Sequence, residues 1–293
     1  MNQSVSQNIV SVKLKALYDI TKFRLSATVV FSGAFGFILG SDKIEVVQLV
    51  LFCIAAFSTT AAANIINQII EVDLDKLMKR TQDRPLPSGR LSVKEAAFFG
   101  WGLAAIAMYI LFYEFNFRAG LVALLSMVLY GFVYTPLKRV GPIAVAVGAL
   151  PGAFPPMIGW IAATNHFGLE PGILFAIQFF WQFPHFWAIA WVLDEDYSKA
   201  GFKLLPSKGG QNLNSAVQIM IYTLFLLPLC WVPYYMGMTG INSAVVAMIF
   251  GVLFLAQTFH LMKKVDRKAA LQLMFGSFIY LPVVQIAYLL DKL

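Results

Sequence analysis

The sequence predicts an all-α, polytopic membrane protein of nine transmembrane helices, and three observations carry that prediction. Of its 293 residues, 59% are hydrophobic and 13% charged, with a mean hydropathy of +0.72, far more apolar surface than a soluble core encloses. Runs of about 20 apolar residues, the length that crosses the hydrocarbon as a helix, recur along the chain. The basic residues collect in alternate connections, as in loops on the cytoplasmic side of a membrane.

The spans fall at 23 to 40, 46 to 68, 96 to 113, 117 to 135, 142 to 163, 171 to 193, 215 to 236, 241 to 261 and 270 to 290. The first is short and follows a polar segment, 1 to 22, that reads as a cytoplasmic tail. That tail has scattered Lys but no apolar stretch with a small-residue cleavage site, so no cleaved signal is expected. The second span carries Asn67 near its end. Ser92 and Glu95 are spaced as a capping box opening the third, and Tyr134-Thr135-Pro136-Leu137-Lys138-Arg139 closes the fourth. Pro151, Pro155 and Pro156 break the fifth, whereas the sixth contains Trp181-Gln182-Phe183-Pro184-His185-Phe186-Trp187.

With the N-terminus inside, the inner segments hold 19 of the 22 Lys and Arg, and only Lys43, Arg118 and Lys292 fall outside. A miscounted helix would invert every later loop and destroy that bias. The net charge of +7 is therefore a topology signal, and with no groove-reading motif beside it nucleic acid is not an expected partner. Cys53 and Cys230 both lie inside spans and read as buried, unpaired small hydrophobes.

No linker divides residues 23 to 290, which read as a single transmembrane domain in the lipid bilayer. Two long loops, 71 to 95 and 194 to 214, lie on the cytoplasmic side by the charge argument. They gather Glu71, Asp73, Asp75, Asp83 and Glu95 in the first and Asp194, Glu195 and Asp196 in the second. Their positions after the second and sixth spans suggest two bundle halves of similar plan.

Asn67, Glu71 and Asp75 are four residues apart, so on a helix they share one stripe. Lys76, Lys79, Arg80 and Arg84 follow at once. Converging carboxylates and an amide oxygen beside dense cations suit a divalent cation bridging to a phosphate. A solvated helix end with surface ion pairs is the plainer reading. Against it stands Asn67, an amide inside a membrane run that needs a partner or a cavity. Asp73 points elsewhere and is expected in solvent. His185 precedes Asp196 by eleven residues, about three turns, so the two are expected on one side with the imidazole about 16 Å deeper. It is either a packed intramembrane histidine beside a proline kink or part of a ligand pocket. His166 is expected in solvent, and His260 is a weaker candidate near the inner end of the eighth span.

The stretch Lys79-Arg80-Thr81-Gln82-Asp83-Arg84-Pro85-Leu86-Pro87-Ser88-Gly89-Arg90, following Asn67, Glu71 and Asp75, resembles the first-loop signature of the UbiA superfamily of intramembrane prenyltransferases. With Pro85 restricting Arg84 and Pro87, Ser88 and Gly89 turning the chain, guanidinium groups can be presented to a diphosphate. Together with Tyr134 to Arg139, the prolines of the fifth span, Trp181 to Trp187 and Asp196-Tyr197, the chain is similar to the haem O synthase branch over residues 20 to 290. That resemblance implies farnesyl transfer from farnesyl diphosphate to a vinyl group of haem B, with water added. It also implies a bacterial inner membrane location and a downstream haem A synthase as a partner. It puts Mg²⁺ on Asn67, Glu71, Asp75 and Asp196, with Arg80, Arg84 and Lys138 completing the diphosphate clamp. Tyr134, Phe186 and Trp187 would face an allylic cation, and His185 would line the porphyrin pocket. In one departure, Ala200 replaces the second acid of the superfamily's later motif, which leaves Asp196 with Asp194 or Glu195. A prenyltransferase acting on an aromatic quinone precursor would use the same diphosphate site. A non-enzymatic carrier would instead show polar residues continuing toward the outer face.

Overall fold

A computed structural model describes residues 3–207 and 210–293, and side chains from residue 11 onward. Lys208, counted above with the second loop, and the first two residues of the tail lie outside the described residues. The chain folds into helices α1 (Gln3–Ile20), α2 (Phe23–Gly40), α3 (Val46–Ile70), α4 (Val72–Asp75), α5 (Val93–Phe115), α6 (Phe117–Leu137), α7 (Ile143–Thr164), α8 (Leu169–Val192), α9 (Asp194–Lys199), α10 (Leu213–Tyr235), α11 (Ile241–Lys264) and α12 (Arg267–Leu290). Among the described residues, nine of these are long and apolar enough to cross a membrane. Each falls within a few residues of its predicted span, and the protein is an integral membrane protein.

The segment read as a tail contains helix α1. Its Ala16 and Ile20 are fully buried against Ile65, Leu86, Leu91 and Ala96, and Gln68 donates to the Ile20 carbonyl at 2.7 Å. Two ion pairs, Lys13 to Glu95 at 2.7 Å and Arg90 to Asp19 at 2.6 Å, tie it to the far end of the first loop. That loop ends in the predicted capping box, with Ser92 and Glu95 bonded reciprocally at the start of α5.

Helices α2 and α7 approach closely enough to require glycine. A Cβ on Gly36 would lie 1.9 Å from the Pro156 carbonyl oxygen, and one on Gly159 would lie 2.0 Å from that of Gly33. Such small-residue seams let helix backbones meet where lipid supplies no hydrophobic drive. The prolines of α7 leave carbonyls without their helical donors, and neighbouring helices supply replacements. Gly152, four residues before Pro156, accepts from Gln178 at 2.7 Å and Gln182 at 3.0 Å. Gln178 also accepts from Ser32 at 2.6 Å and Gln285 at 3.1 Å. This buried amide cluster joins α2, α7, α8 and α12. Helix α6 contains a π-helical turn at Leu129–Tyr134, a widening that re-aims the residues after it.

Candidate functional site

The four-residue spacing of Asn67, Glu71 and Asp75 survives the junction between α3 and α4. The Glu71 N–H donates to the Asn67 carbonyl at 3.0 Å and the Asp75 N–H to that of Glu71 at 2.8 Å. All three side chains therefore stay on one stripe, and that stripe faces inward: Asn67, Glu71 and Asp75 are 2%, 3% and 1% exposed. The side chain of Asp73, between them in sequence, is 85% exposed, as its phase predicts.

Cations from three parts of the chain close on the stripe. Lys138, after α6, places Nζ 2.8 and 3.0 Å from the two oxygens of Glu71. Arg84 Nη1 spans both oxygens of Asp75 at 2.9 and 2.8 Å, leaving Nε and Nη2 without a protein partner among the described residues. Lys22, just before α2, donates to Asn67 Oδ1 at 3.2 Å. The Asn67 amide in turn donates to Glu71 Oε2 at 2.9 Å and Thr135 Oγ1 at 3.1 Å. The π turn in α6 brings Thr135 here, its N–H and hydroxyl both bonded to the Tyr130 carbonyl.

Two carboxylates thus face three cationic side chains in a shielded site. Burial pulls the Lys22 ammonium well below the ordinary lysine value of 10.5, and repulsion from Arg84 and Lys138 adds to that against the pull of Glu71 and Asp75. Lys22 also adopts left-handed backbone angles, φ 51° and ψ 54°, a conformation that costs a non-glycine residue about 1 kcal/mol and is concentrated at functional sites. Neither Lys22 nor Thr135 was singled out by the sequence. They arrive from other helices, and no local pattern in the sequence marks either one.

The donor set fits a hard divalent cation: two carboxylates and an amide oxygen. Glu71 Oε1 is buried with no donor aligned on it, although Lys138 lies close. Among the described residues, no group of three or more His, Cys, Asp or Glu is already gathered to hold a metal. Asp196 is not drawn into the stripe. Its carboxylate accepts the backbone N–H groups of Lys79 at 2.8 Å and Arg80 at 3.1 Å, with Lys199 at 3.4 Å. It latches the second loop to the first. Arg80 lies over the Tyr197 ring at 5.8 Å rather than in the cluster, whereas Tyr134 is buried beneath Lys138 at 4.9 Å.

The phase relation between His185 and Asp196 does not hold. Helix α8 ends at Val192, Leu193 leaves helical geometry, and α9 starts afresh at Asp194. His185 instead faces α12, its Nδ1 2.8 Å from Ser277 Oγ, stacked on Trp181 at 4.3 Å. Trp187 is buried against Tyr222 at 5.1 Å and Phe186 is half-buried beside His185. His166 is exposed, as expected, and so is His260, on the perimeter of α11. Cys53 and Cys230 are both free.

A profile of the UbiA prenyltransferase family matches residues 29–281. The chain is 56% identical over 282 residues to the protoheme IX farnesyltransferase of Cytophaga hutchinsonii, covering 96% of this chain and 99% of that one. It is 43% identical over 279 residues to the protein of the same name from Christiangramia forsetii, covering 94% and 92%. Among solved structures, that of a digeranylgeranylglyceryl phosphate synthase superposes with a TM-score of 0.80 at 21% identity, over 95% of this chain and 98% of that one. A UbiA homologue from Archaeoglobus fulgidus bound to DMAPP and Mg²⁺ gives a TM-score of 0.67 at 16% identity, over 93% and 98%. These two share its fold.

Proposed function

The chain belongs to the UbiA prenyltransferase family, an enzyme that transfers prenyl groups, and from that premise we propose that it moves a farnesyl group from farnesyl diphosphate to a vinyl group of haem B. Water is added in the same reaction, giving haem O and diphosphate. The observation that carries the diphosphate half is the excess of cation over carboxylate at a shielded site: Lys22, Arg84 and Lys138 against Glu71 and Asp75. That excess is a single charge, and a divalent cation on the two carboxylates would raise it to three, which a prenyl diphosphate trianion offsets. The acceptor half rests on the relatives named for protoheme IX.

Departure of diphosphate is the step the residues address. Asn67, Glu71 and Asp75 would hold Mg²⁺, joined by Asp196 once its carboxylate leaves the Lys79 and Arg80 amides, and the ion would supply charge neutralisation at the leaving group. Arg84 offers Nε and Nη2 side by side, the fork that grips a phosphate in bidentate fashion. Lys138 stands between Glu71 and the Tyr134 face, positioned to follow the leaving oxygens while the ring faces developing positive charge on the allylic carbon. The vinyl group attacks that carbon without prior deprotonation, so the reaction asks for no activated nucleophile. His185 lines the porphyrin side, and Arg80 at the loop surface adds charge for diphosphate entry. The N-terminus and both long loops lie on the cytoplasmic side of a bacterial inner membrane, and haem A synthase is the downstream partner.

Mass spectrometry of haem after incubation of the purified protein with haem B, farnesyl diphosphate and Mg²⁺ tests this. A farnesylated, hydrated haem that EDTA abolishes is expected. Unmodified haem, with a prenylated quinone precursor in a parallel reaction, would move the acceptor to the other class.

A further inference from the structure

We propose that Ser277 is a positioning residue for the haem substrate, fixing His185 as its Nδ1–H tautomer so that the Nε2 lone pair is free to ligate haem iron. The inference rests on the haem reading above. A serine hydroxyl carries one hydrogen, and that of Ser277 is committed to the Met274 carbonyl at 2.6 Å. The 2.8 Å contact to His185 Nδ1 must then run the other way, with Nδ1–H donating and Oγ accepting. In a neutral imidazole this leaves Nε2 bare. Nε2 has no hydrogen-bond partner among the described residues.

The ring is held in that orientation from two further sides. Trp181 stacks on it at 4.3 Å with planes 16° apart, and its own Nε1–H donates to the Ser277 carbonyl at 3.0 Å. Phe278 meets it edge-on at 5.0 Å. Flipping the imidazole would exchange Nδ1 for a carbon and lose the bond to Ser277. One serine residue therefore orders both rings, through its hydroxyl and its carbonyl. An acceptor behind the ring, taking the Nδ1–H, with a bare nitrogen in front is the pattern that orients histidines at metal centres and raises their basicity. Phe278 is also half exposed at the bundle perimeter, so the imidazole lies one ring away from lipid, the phase in which an apolar porphyrin travels.

The test uses the full chain in nanodiscs, loaded with haem B and reduced, with the iron–imidazole stretch read by resonance Raman. Mg²⁺-dependent farnesyl diphosphate binding serves as the check on folding. In the wild type the stretch is present. His185→Ala loses it, and added imidazole restores it. Ser277→Ala keeps the band but moves it to lower frequency, because Nδ1–H has lost its acceptor and the ring gives less charge to iron; Ser277→Thr moves it back. Should Ser277→Ala lose diphosphate binding, Ser277→Cys, a weaker acceptor of similar size, carries the same comparison. A band unmoved by loss of the Ser277 hydroxyl overturns the positioning role, and a band that survives His185→Ala overturns the ligand itself. A wild type that binds farnesyl diphosphate but no haem overturns this inference and the haem reading together, and only that outcome reaches the latter.

Discussion

A single nitrogen of Arg84 serves both oxygens of the buried Asp75 carboxylate, at 2.9 and 2.8 Å, so the pair is complete while the other edge of the guanidinium stays open. The same arginine can hold the acid stripe and receive a phosphate. This sets apart two substitutions that would otherwise look alike.

Arg84→Lys keeps a charge against Asp75 but removes the open edge. It is expected to raise KM for farnesyl diphosphate by about 10- to 150-fold, matching about 1.5–3 kcal/mol for a lost charged hydrogen bond, with little change in melting temperature. Arg84→Ala strands a buried carboxylate and costs stability as well, about 3 kcal/mol. Adding Asp75→Asn to it should recover part of the stability and none of the turnover. Thermal unfolding beside steady-state kinetics separates these effects, and full stability in Arg84→Ala alone would contradict the pairing.

Asp75→Ala, with Arg84 intact, is expected to abolish transfer while leaving the nine-helix bundle folded and haem binding largely in place. Retained turnover would remove Asp75 from the metal-holding set.

Lys22 gives the site a pH signature. Its folded value lies below the ordinary 10.5, so the unfolded chain binds more protons in the interval between them, and stability contributed at this position grows as pH rises through it. Lys22→Met should flatten that rise in a plot of melting temperature against pH. A diphosphate ligand should do the same in the wild type, because a polyanion makes the charged ammonium welcome. Identical slopes in wild type and variant would mean that Lys22 is not desolvated in the free protein.

The membrane spans were legible because span length and mean hydropathy are local properties, and the acidic stripe because a four-residue repeat on a helix is local too. Lys22 and Thr135 were not, since each reaches Asn67 from another helix. The alignment of His185 with Asp196 assumed an unbroken helix, and the break at Leu193 removed its basis. Helix α1 was read as a tail because its sequence is polar with scattered Lys. What holds it is a small apolar contact around Ala16 and Ile20 and two ion pairs to a loop some 70 to 80 residues away, none of which a sequence window contains.

The glycine seam between α2 and α7 should tolerate no side chain. Gly36→Ala puts a methyl group 1.9 Å from the Pro156 carbonyl oxygen, and that oxygen is backbone, unable to rotate away. The helices must separate, with loss of packing beyond the 1–3 kcal/mol typical of overpacking. Gly102→Ala, inside α5 where a Cβ meets nothing within 4 Å, is the control, expected to leave stability intact or raise it by up to about 1 kcal/mol. Equal behaviour of the two variants would show that α2 and α7 do not meet as closely as described.

Asp196 discriminates between a latch and a ligand. Its carboxylate titrates below the ordinary range even though burial pushes it up, because the Arg80 and Lys79 amides and the Lys199 ammonium outweigh that burial. As a latch, it grips the first loop above the usual carboxylate range and releases it as pH falls through the lowered value. Asp196→Asn retains one acceptor oxygen for an amide and should keep part of the grip, whereas Asp196→Ala keeps none. Proteolysis of the first loop should therefore rank alanine above asparagine above wild type. A metal ligand predicts a different order: both variants lose Mg²⁺ affinity in turnover assays, and raising Mg²⁺ rescues asparagine more than alanine. Protection from proteolysis that is indifferent to either substitution, together with a collapsed Mg²⁺ dependence, would assign Asp196 to the metal and leave the contact between the loops incidental.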